Sequence, residues 1–368
     1  MIEAKEIVRI LKKNQIDFYT GIPDSVLKSL TKVISSYDSN KHVTATNEGS
    51  AVSLGIGYYL STKKIPAVYL QNSGLGNIVN PIVSIAHKKV YSIPMLLLIG
   101  WRGAPDIKDE IQHKIQGAIT QDLLKLLDIK YEIIDEKNFK KQITQLIKFS
   151  KKKKKTVAIL FKKNDLSFNN DKSTIVNTLA KNRFTRSYFL KVLAAKTKNF
   201  KIVATTGYTA RELYQIKKNK KISTNNDFYM VGGMGHASMV AFGFSLFSKK
   251  KTICLDGDGS FLMHLGSAGT IGQFSKKNFK HILLNNGCHE SVGGQKTIAN
   301  KIKVKNLSFS LGYKNYYLIK NKLYINSTLN KFLNSKGPSL LEVKIEKGSL
   351  KNLIRINNLN EVKIKFMN

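Results

Sequence analysis

Two stretches constrain the fold more than any other part of the chain. An apolar, β-prone run from Thr252 to Leu255 stops at Gly257-Asp258-Gly259 with Ser260 behind it, and a second, His281 to Leu284, stops at Asn285-Asn286. Between them lies a helix-prone stretch rich in small residues, Leu262 to Phe274. In a parallel sheet both strand ends emerge on one carboxyl edge, where ligands bind. That edge puts Asp258 beside Asn286, a carboxylate beside a carboxamide, and such hard oxygen donors suit Mg²⁺ bound together with phosphate. The glycines let a diphosphate approach the backbone, and Ser260 offers N–H and hydroxyl donors at the next helix start.

The same rhythm of apolar run, polar turn and helix recurs along the chain. The amino-terminal part predicts a helix over 2–14, then the strand Phe18-Tyr19-Thr20 running into Gly21-Ile22-Pro23-Asp24-Ser25, where Asp24 or Ser25 caps a helix from Val26 to Ile34. The strand Val43 to Thr46 feeds Asn47-Glu48-Gly49-Ser50 and a small-residue helix, a start at which the helix dipole alone favours Glu48. Pro66 to Leu70 ends in the polar loop Gln71 to Asn77, and Met95 to Ile99 ends in Gly100-Trp101-Arg102-Gly103, with His113 shortly after. Arg102 has the fork geometry for a carboxylate or phosphonate, and His113 can donate to an anion or relay a proton. The five-lysine run Lys151 to Lys155 reads as a solvated loop before the strand Thr156 to Phe161, and the polar segment Lys163 to Lys181 as a linker.

The pattern then restarts. A helix from Arg186 to Ala195 and a strand from Ile202 to Thr205 lead into Thr206-Gly207-Tyr208-Thr209, a strand–turn–helix suited to a diphosphate, and a helix from Ala210 to Ile216. Phe228 to Val231 runs into Gly232-Gly233-Met234-Gly235, and Tyr316 to Tyr324 and Leu340 to Ile345 read as closing strands. The fold class is α/β, with parallel-sheet domains over 1–165 and 185–368 and a linker over 166–184.

The formal charge of +37, with only six Arg among 61 basic residues, raises the alternative of a polyanion-binding protein. The lysines are scattered and accompanied by abundant Ile and Asn, and no zinc-ligand spacing, RNP-type motif or KH-type loop is present. A compositional drift carried on solvated faces is the expectation, without nucleic acid as partner. No apolar run approaches the ~20 residues needed to span a bilayer, so no membrane role is expected. The start, Met1 to Lys13, is an amphipathic charged helix rather than a signal peptide. Two cysteines, Cys254 and Cys288, give no disulfide framework and point to a reducing cytoplasm.

Gly257-Asp258-Gly259, about two dozen further residues and Asn285-Asn286 resemble the thiamine diphosphate (ThDP) signature. Gly233-Met234-Gly235-His236-Ala237-Ser238, Met263-His264-Leu265-Gly266-Ser267, and Asn285-Asn286-Gly287 with Ser291-Val292-Gly293-Gly294-Gln295 resemble phosphonopyruvate decarboxylase, with sulfopyruvate decarboxylase close. The resemblance implies a pyrimidine-binding and a diphosphate-binding module, no third domain, and a homodimer or higher oligomer with ThDP and Mg²⁺ at subunit interfaces. It implies decarboxylation of 3-phosphonopyruvate to phosphonoacetaldehyde and CO₂, in phosphonate biosynthesis. Sulfopyruvate decarboxylation, or another ThDP decarboxylase or carboligase activity, is the alternative.

Carried onto this chain, the resemblance makes Glu48 the carboxyl that hydrogen-bonds the aminopyrimidine ring, and Asp24 and His113 further catalytic groups. Gly207, Gly232, Met234, Asp258, Gly259, Ser260 and Asn286 would hold the cofactor. Asp258, the Asn286 side chain and the Cys288 carbonyl would hold the metal, and Asn72, Arg102, His113 and Glu290 would meet the substrate. The chain departs from the pattern at Tyr208, where some relatives have Lys, at Gly233, commonly Ser, and at Glu290, usually Asp. His236, His264 and His289 receive no role.

Overall fold

The computed structural model describes residues 1–168 and 182–368. They fall into two units, one over 1–168 and one over 182–368, with the short segment Val292–Gln295 grouped with the first. The first unit runs β1 (Ile2–Glu3), α1 (Ala4–Lys13), β2 (Tyr19–Gly21), α2 (Lys28–Ile34), β3 (His42–Thr44), α3 (Glu48–Thr62) and β4 (Ala67–Gln71). It continues with α4 (Leu75–Pro81), β5 (Leu96–Gly100), α5 (Ile111–Leu126), β6 (Lys130–Ile133), α6 (Phe139–Lys153), β7 (Val157–Phe161) and β8 (Leu166–Ser167). The second runs α7 (Arg186–Lys196), β9 (Lys201–Ala204), α8 (Tyr208–Asn219), β10 (Asp227–Tyr229), α9 (Ala237–Phe247), β11 (Thr252–Gly257) and α10 (Asp258–Met263). It ends with α11 (Gly266–Phe274), β12 (Phe279–Asn285), α12 (Val304–Ser310), β13 (Asn315–Ile319), α13 (Ile325–Asn334), β14 (Ser339–Lys344) and α14 (Leu359–Met367).

Each unit holds a six-stranded, wholly parallel sheet, ordered β3-β2-β4-β5-β7-β6 in the first and β10-β9-β11-β12-β14-β13 in the second. Numbered within its own sheet, each order is 2-1-3-4-6-5. Short apolar strands build such sheets because both faces are covered, so successive side chains enter opposite cores. In β4, Ala67 and Tyr69 join the core under α1, α2 and α6, while Val68 and Leu70 join the core under α3, α4 and α5. In β12, Ile282 and Leu284 pack beneath α7, α8 and α13, and Leu283 packs beneath α9 to α12.

Several expectations need correction. The lysine run is not a loop: Lys151 to Lys153 form the last turn of α6, where cations suit the helix dipole, and Lys154 ends it at φ 50°. The helix expected over 262–274 breaks at His264, which stacks on His236 with ring centroids 4.6 Å apart, so α10 and α11 are separate. Of the expected linker, 169–181 lies outside the described residues, whereas Leu166–Ser167 is a strand paired in parallel with Ile2–Glu3. The strand expected over 316–324 stops at Ile319. Not every lysine is solvated. Lys217 is buried on Asp227 at 2.7 Å, and Lys201 donates to the Phe366 carbonyl at 2.6 Å, which ties α14 to β9. Among the described residues no helix is long and apolar enough to cross a membrane.

Candidate active site

In the second unit the chain leaves β9 toward β10 on one side and β11 toward β12 on the other. A crevice therefore opens at the carboxyl ends of β9 and β11, the topological switch point at which α/β sheets take ligands. Thr205 and Thr206 reach it from β9, Gly257 to Ser260 from β11 and Asn286 from β12, and they line one pocket with Arg186, Tyr208, Met234, Cys288, His289 and Glu290. Ser260 ties the loops together, its Oγ lying 3.0 Å from Thr205 Oγ1 and accepting from the Gly235 N–H at 3.0 Å. Gly207 takes φ 90° as α8 begins, and at Gly259 a Cβ would fall 2.6 Å from the His289 ring, so both positions depend on glycine.

Asp258 is buried and accepts from the Thr297 hydroxyl. Burial pushes its carboxyl up to about 6, outweighing that hydrogen bond. Asn286 Oδ1 accepts from the Cys288 N–H at 3.2 Å and Nδ2 donates to Glu290 Oε2 at 3.0 Å. Burial holds the Cys288 thiol up at about 11. Met234 lines the pocket, while Gly232 lies two residues earlier, outside its wall. Burial lowers the His289 ring to about 4. His236 and His264 stack on each other and are not part of the pocket wall.

Glu290, expected at the substrate, lines this pocket, and its carboxylate accepts from Arg186, Asn286 and the Gly348 N–H. Arg186, which sequence reasoning missed, lines the pocket with its guanidinium 5.5 Å from the Tyr208 ring centroid. Only its place at the start of a helix, among few arginines, hinted at it. Thr297 was likewise missed, 39 residues from the Asp258 it serves.

In the first unit Glu48 opens α3 behind the Asn47 cap, whose Oδ1 accepts from Ser50 N at 2.8 Å. The Glu48 carboxyl is buried, accepts from Asn77 Nδ2 at 2.7 Å, and rests on Gly74, where a Cβ would fall 2.5 Å from it. The polar loop after β4 thus frames Glu48. Asp24 is not the cap of the helix expected over 26–34, because α2 starts at Lys28 with Leu27 before it; its Oδ2 instead closes the preceding turn, accepting from Val26 and Leu27 N–H at 2.8 and 2.9 Å. Its Oδ1 is buried without a hydrogen bond, and burial raises its carboxyl despite those donors and the Arg102 charge.

The remaining substrate expectations meet groups already engaged. The Arg102 fork holds Asp109 at 2.6 and 2.5 Å and donates to Ser25 Oγ at 3.0 Å. Burial alone would raise Asp109, but Arg102 and the Glu110 and Gly103 N–H groups hold it well below the usual range. The Asn72 carboxamide bridges both backbone groups of Arg102 and the Thr120 hydroxyl at 2.9 to 3.1 Å. His113 sits half-buried near the start of α5, its carbonyl in contact with Gly103.

A buried carboxylate beside a carboxamide oxygen, with a glycine-rich turn and hydroxyls around them, fits a divalent cation carrying a diphosphate. Residues 3–126 match the thiamine pyrophosphate enzyme, N-terminal TPP binding domain, and residues 203–343 the thiamine pyrophosphate enzyme, C-terminal TPP binding domain. Phosphonopyruvate decarboxylase of Streptomyces viridochromogenes is 30% identical over 96% of this chain and 91% of its own, and that of Streptomyces hygroscopicus 30% over 95% and 89%. Sulfopyruvate decarboxylase of Methanosarcina acetivorans is 25% identical over 94% of this chain and 92% of its own. The chain belongs to the ThDP-dependent 2-oxo acid decarboxylases, the family of phosphonopyruvate decarboxylase, and is a carboxy-lyase that uses ThDP.

Proposed function

We propose that this enzyme decarboxylates 3-phosphonopyruvate to phosphonoacetaldehyde and CO₂, with ThDP and Mg²⁺, as a step of phosphonate biosynthesis. The observation carrying the choice of substrate is 30% identity over nearly the whole of two proteins named for that acid. Bound ThDP supplies the electron sink that accepts the pair released with CO₂. The chain's own residues do the rest. In the unit over 185–368, the diphosphate-binding domain, Asp258, the Asn286 carboxamide and the Cys288 carbonyl would hold the metal, while Ser260 and the turns at Gly207 and Gly259 receive phosphate oxygens. Met234 supports the cofactor from the pocket wall, and Gly232 offers its carbonyl to the aminopyrimidine.

In the unit over 1–165, the pyrimidine-binding domain, Glu48 hydrogen-bonds the aminopyrimidine ring, and Asn77 and Gly74 keep its carboxyl in place. Asp24 and His113 are the remaining candidates for moving protons, and Arg102, held by Asp109, shapes the loop rather than gripping substrate. We also propose a homodimer or higher oligomer in a reducing cytoplasm, with the Glu48 unit of one chain completing the Asp258 pocket of another. The apolar residues Ile111, Ile115 and Ile119, exposed along α5, support such assembly.

The test is CO₂ release from 3-phosphonopyruvate and from 3-sulfopyruvate, each with ThDP and Mg²⁺. Sulfopyruvate is the second reading, favoured by the full-length match to a sulfopyruvate decarboxylase. Consumption of the phosphono acid alone supports the proposal, turnover of the sulfo acid alone transfers it, and turnover of neither removes both.

A further inference from the structure

We propose that Glu290 is the positioning residue that turns the Asn286 carboxamide so that its oxygen faces the metal, with Arg186 anchoring Glu290 for the task; this rests on the reading of Asp258 and Asn286 as metal ligands. A carboxamide has an oxygen end and an amine end, and only the oxygen binds a hard cation. Two neighbours decide which end points where. The Glu290 carboxylate accepts and cannot donate, so at 3.0 Å it takes only the Asn286 Nδ2 end. The Cys288 N–H donates and cannot accept, so at 3.2 Å it takes only Oδ1. A flipped amide would lose both bonds and set oxygen against oxygen and N–H against N–H. Cys288 N uses one acceptor position of Oδ1 and leaves the other for the cation.

Glu290 is itself placed by donors from distant parts of the unit. Its Oε2 also accepts from Arg186 Nη2 of α7, and its Oε1 accepts from the Gly348 N–H in the segment after β14. Arg186 is buried, its Nε 3.8 Å from Glu212 Oε2, so its own aim is restricted. The pairing has a second consequence. A bare carboxylate in a pocket that receives a diphosphate would repel it, and the Arg186 charge, shared with Glu212, offsets part of that repulsion. Tyr208 can then stand at the start of α8 without a cationic side chain of its own.

Mn²⁺ as the probe, titrated with ThDP present and followed by electron paramagnetic resonance, tests the proposal in the full-length enzyme and in Glu290→Ala, Glu290→Gln and Asp258→Ala. Removing a partner that orients a metal ligand typically costs 10–100-fold in metal affinity, and Glu290→Ala should lose about that much. Glu290→Gln keeps an oxygen that can accept from Asn286 and should lose less, and it decides the matter if the alanine variant does not fold. At saturating metal, KM for the 2-oxo acid should move by less than about threefold in either variant. Unchanged Mn²⁺ affinity in a folded Glu290 variant overturns the proposal, and unchanged affinity with a raised KM makes Glu290 a substrate contact instead. Wild-type Mn²⁺ affinity in Asp258→Ala would instead sink the metal reading beneath it.

Discussion

The two units share one strand order and put opposite chemistry on it. In the second, the switch-point edge is a pocket of buried acceptors and donors, with Asp258 raised to about 6 by burial. In the first, the corresponding edge is largely closed on itself: Arg102 on Asp109, Asn72 on the backbone of Arg102, Asp24 on two N–H groups. Glu48 stands apart there, its buried carboxyl accepting a hydrogen bond of 2.7 Å from Asn77 Nδ2. The lesson is that topology fixes where loops gather, while the pairing among loop residues decides whether the edge receives a ligand or holds itself together.

The sharpest break between the halves would come from Glu48→Gln. A group that manages a proton transfer contributes about 10²–10⁴-fold, so turnover should fall by that much while ThDP affinity stays near wild type. Retained turnover would strip the first unit of its chemical role. Asp258→Ala should do the reverse and weaken ThDP–Mg²⁺ binding by more than about 100-fold in calorimetric titration, since a ligand matters more than the partners that orient it. Binding that survives would leave the second pocket without its cation.

Arg102→Met asks whether the first edge is structural. It strands the half-buried Asp109 carboxylate without its charge-assisted hydrogen bonds, so the protein should lose roughly 2 kcal/mol in denaturant unfolding. A normal melt with a KM raised more than about tenfold would return Arg102 to substrate binding. The smallest effect concerns His42 beside β2, whose Nε2 lies 2.8 Å from the Tyr69 hydroxyl and whose ring burial lowers to about 4. A lowered histidine gives stability that is full above the unfolded value near 6.5 and is lost as pH falls toward 4. Allowing for partial exposure, wild type should lose about 1–2 kcal/mol more than His42→Asn between pH 7 and 4, and equal losses would reject the assignment.

Much of this protein was determined by sequence alone, because the signals are local. Alternating apolar runs such as Ala67 to Leu70 read out strands covered on both faces, and Gly257 to Gly259 and Asn285-Asn286 marked where strands stop and polar groups emerge. The glycine need at 207 and the turn that Asp24 closes follow from the residues nearest them. What tertiary structure decided is who holds whom. Arg186 meets Glu290 across 104 positions, Asn77 meets Glu48 across 29, and the Arg102 guanidinium meets Asp109. Backbone periodicity and turn chemistry are set within a few residues, whereas a charged side chain pairs with whatever the sheet edge brings within about 3 Å, and only the folded chain determines that neighbour.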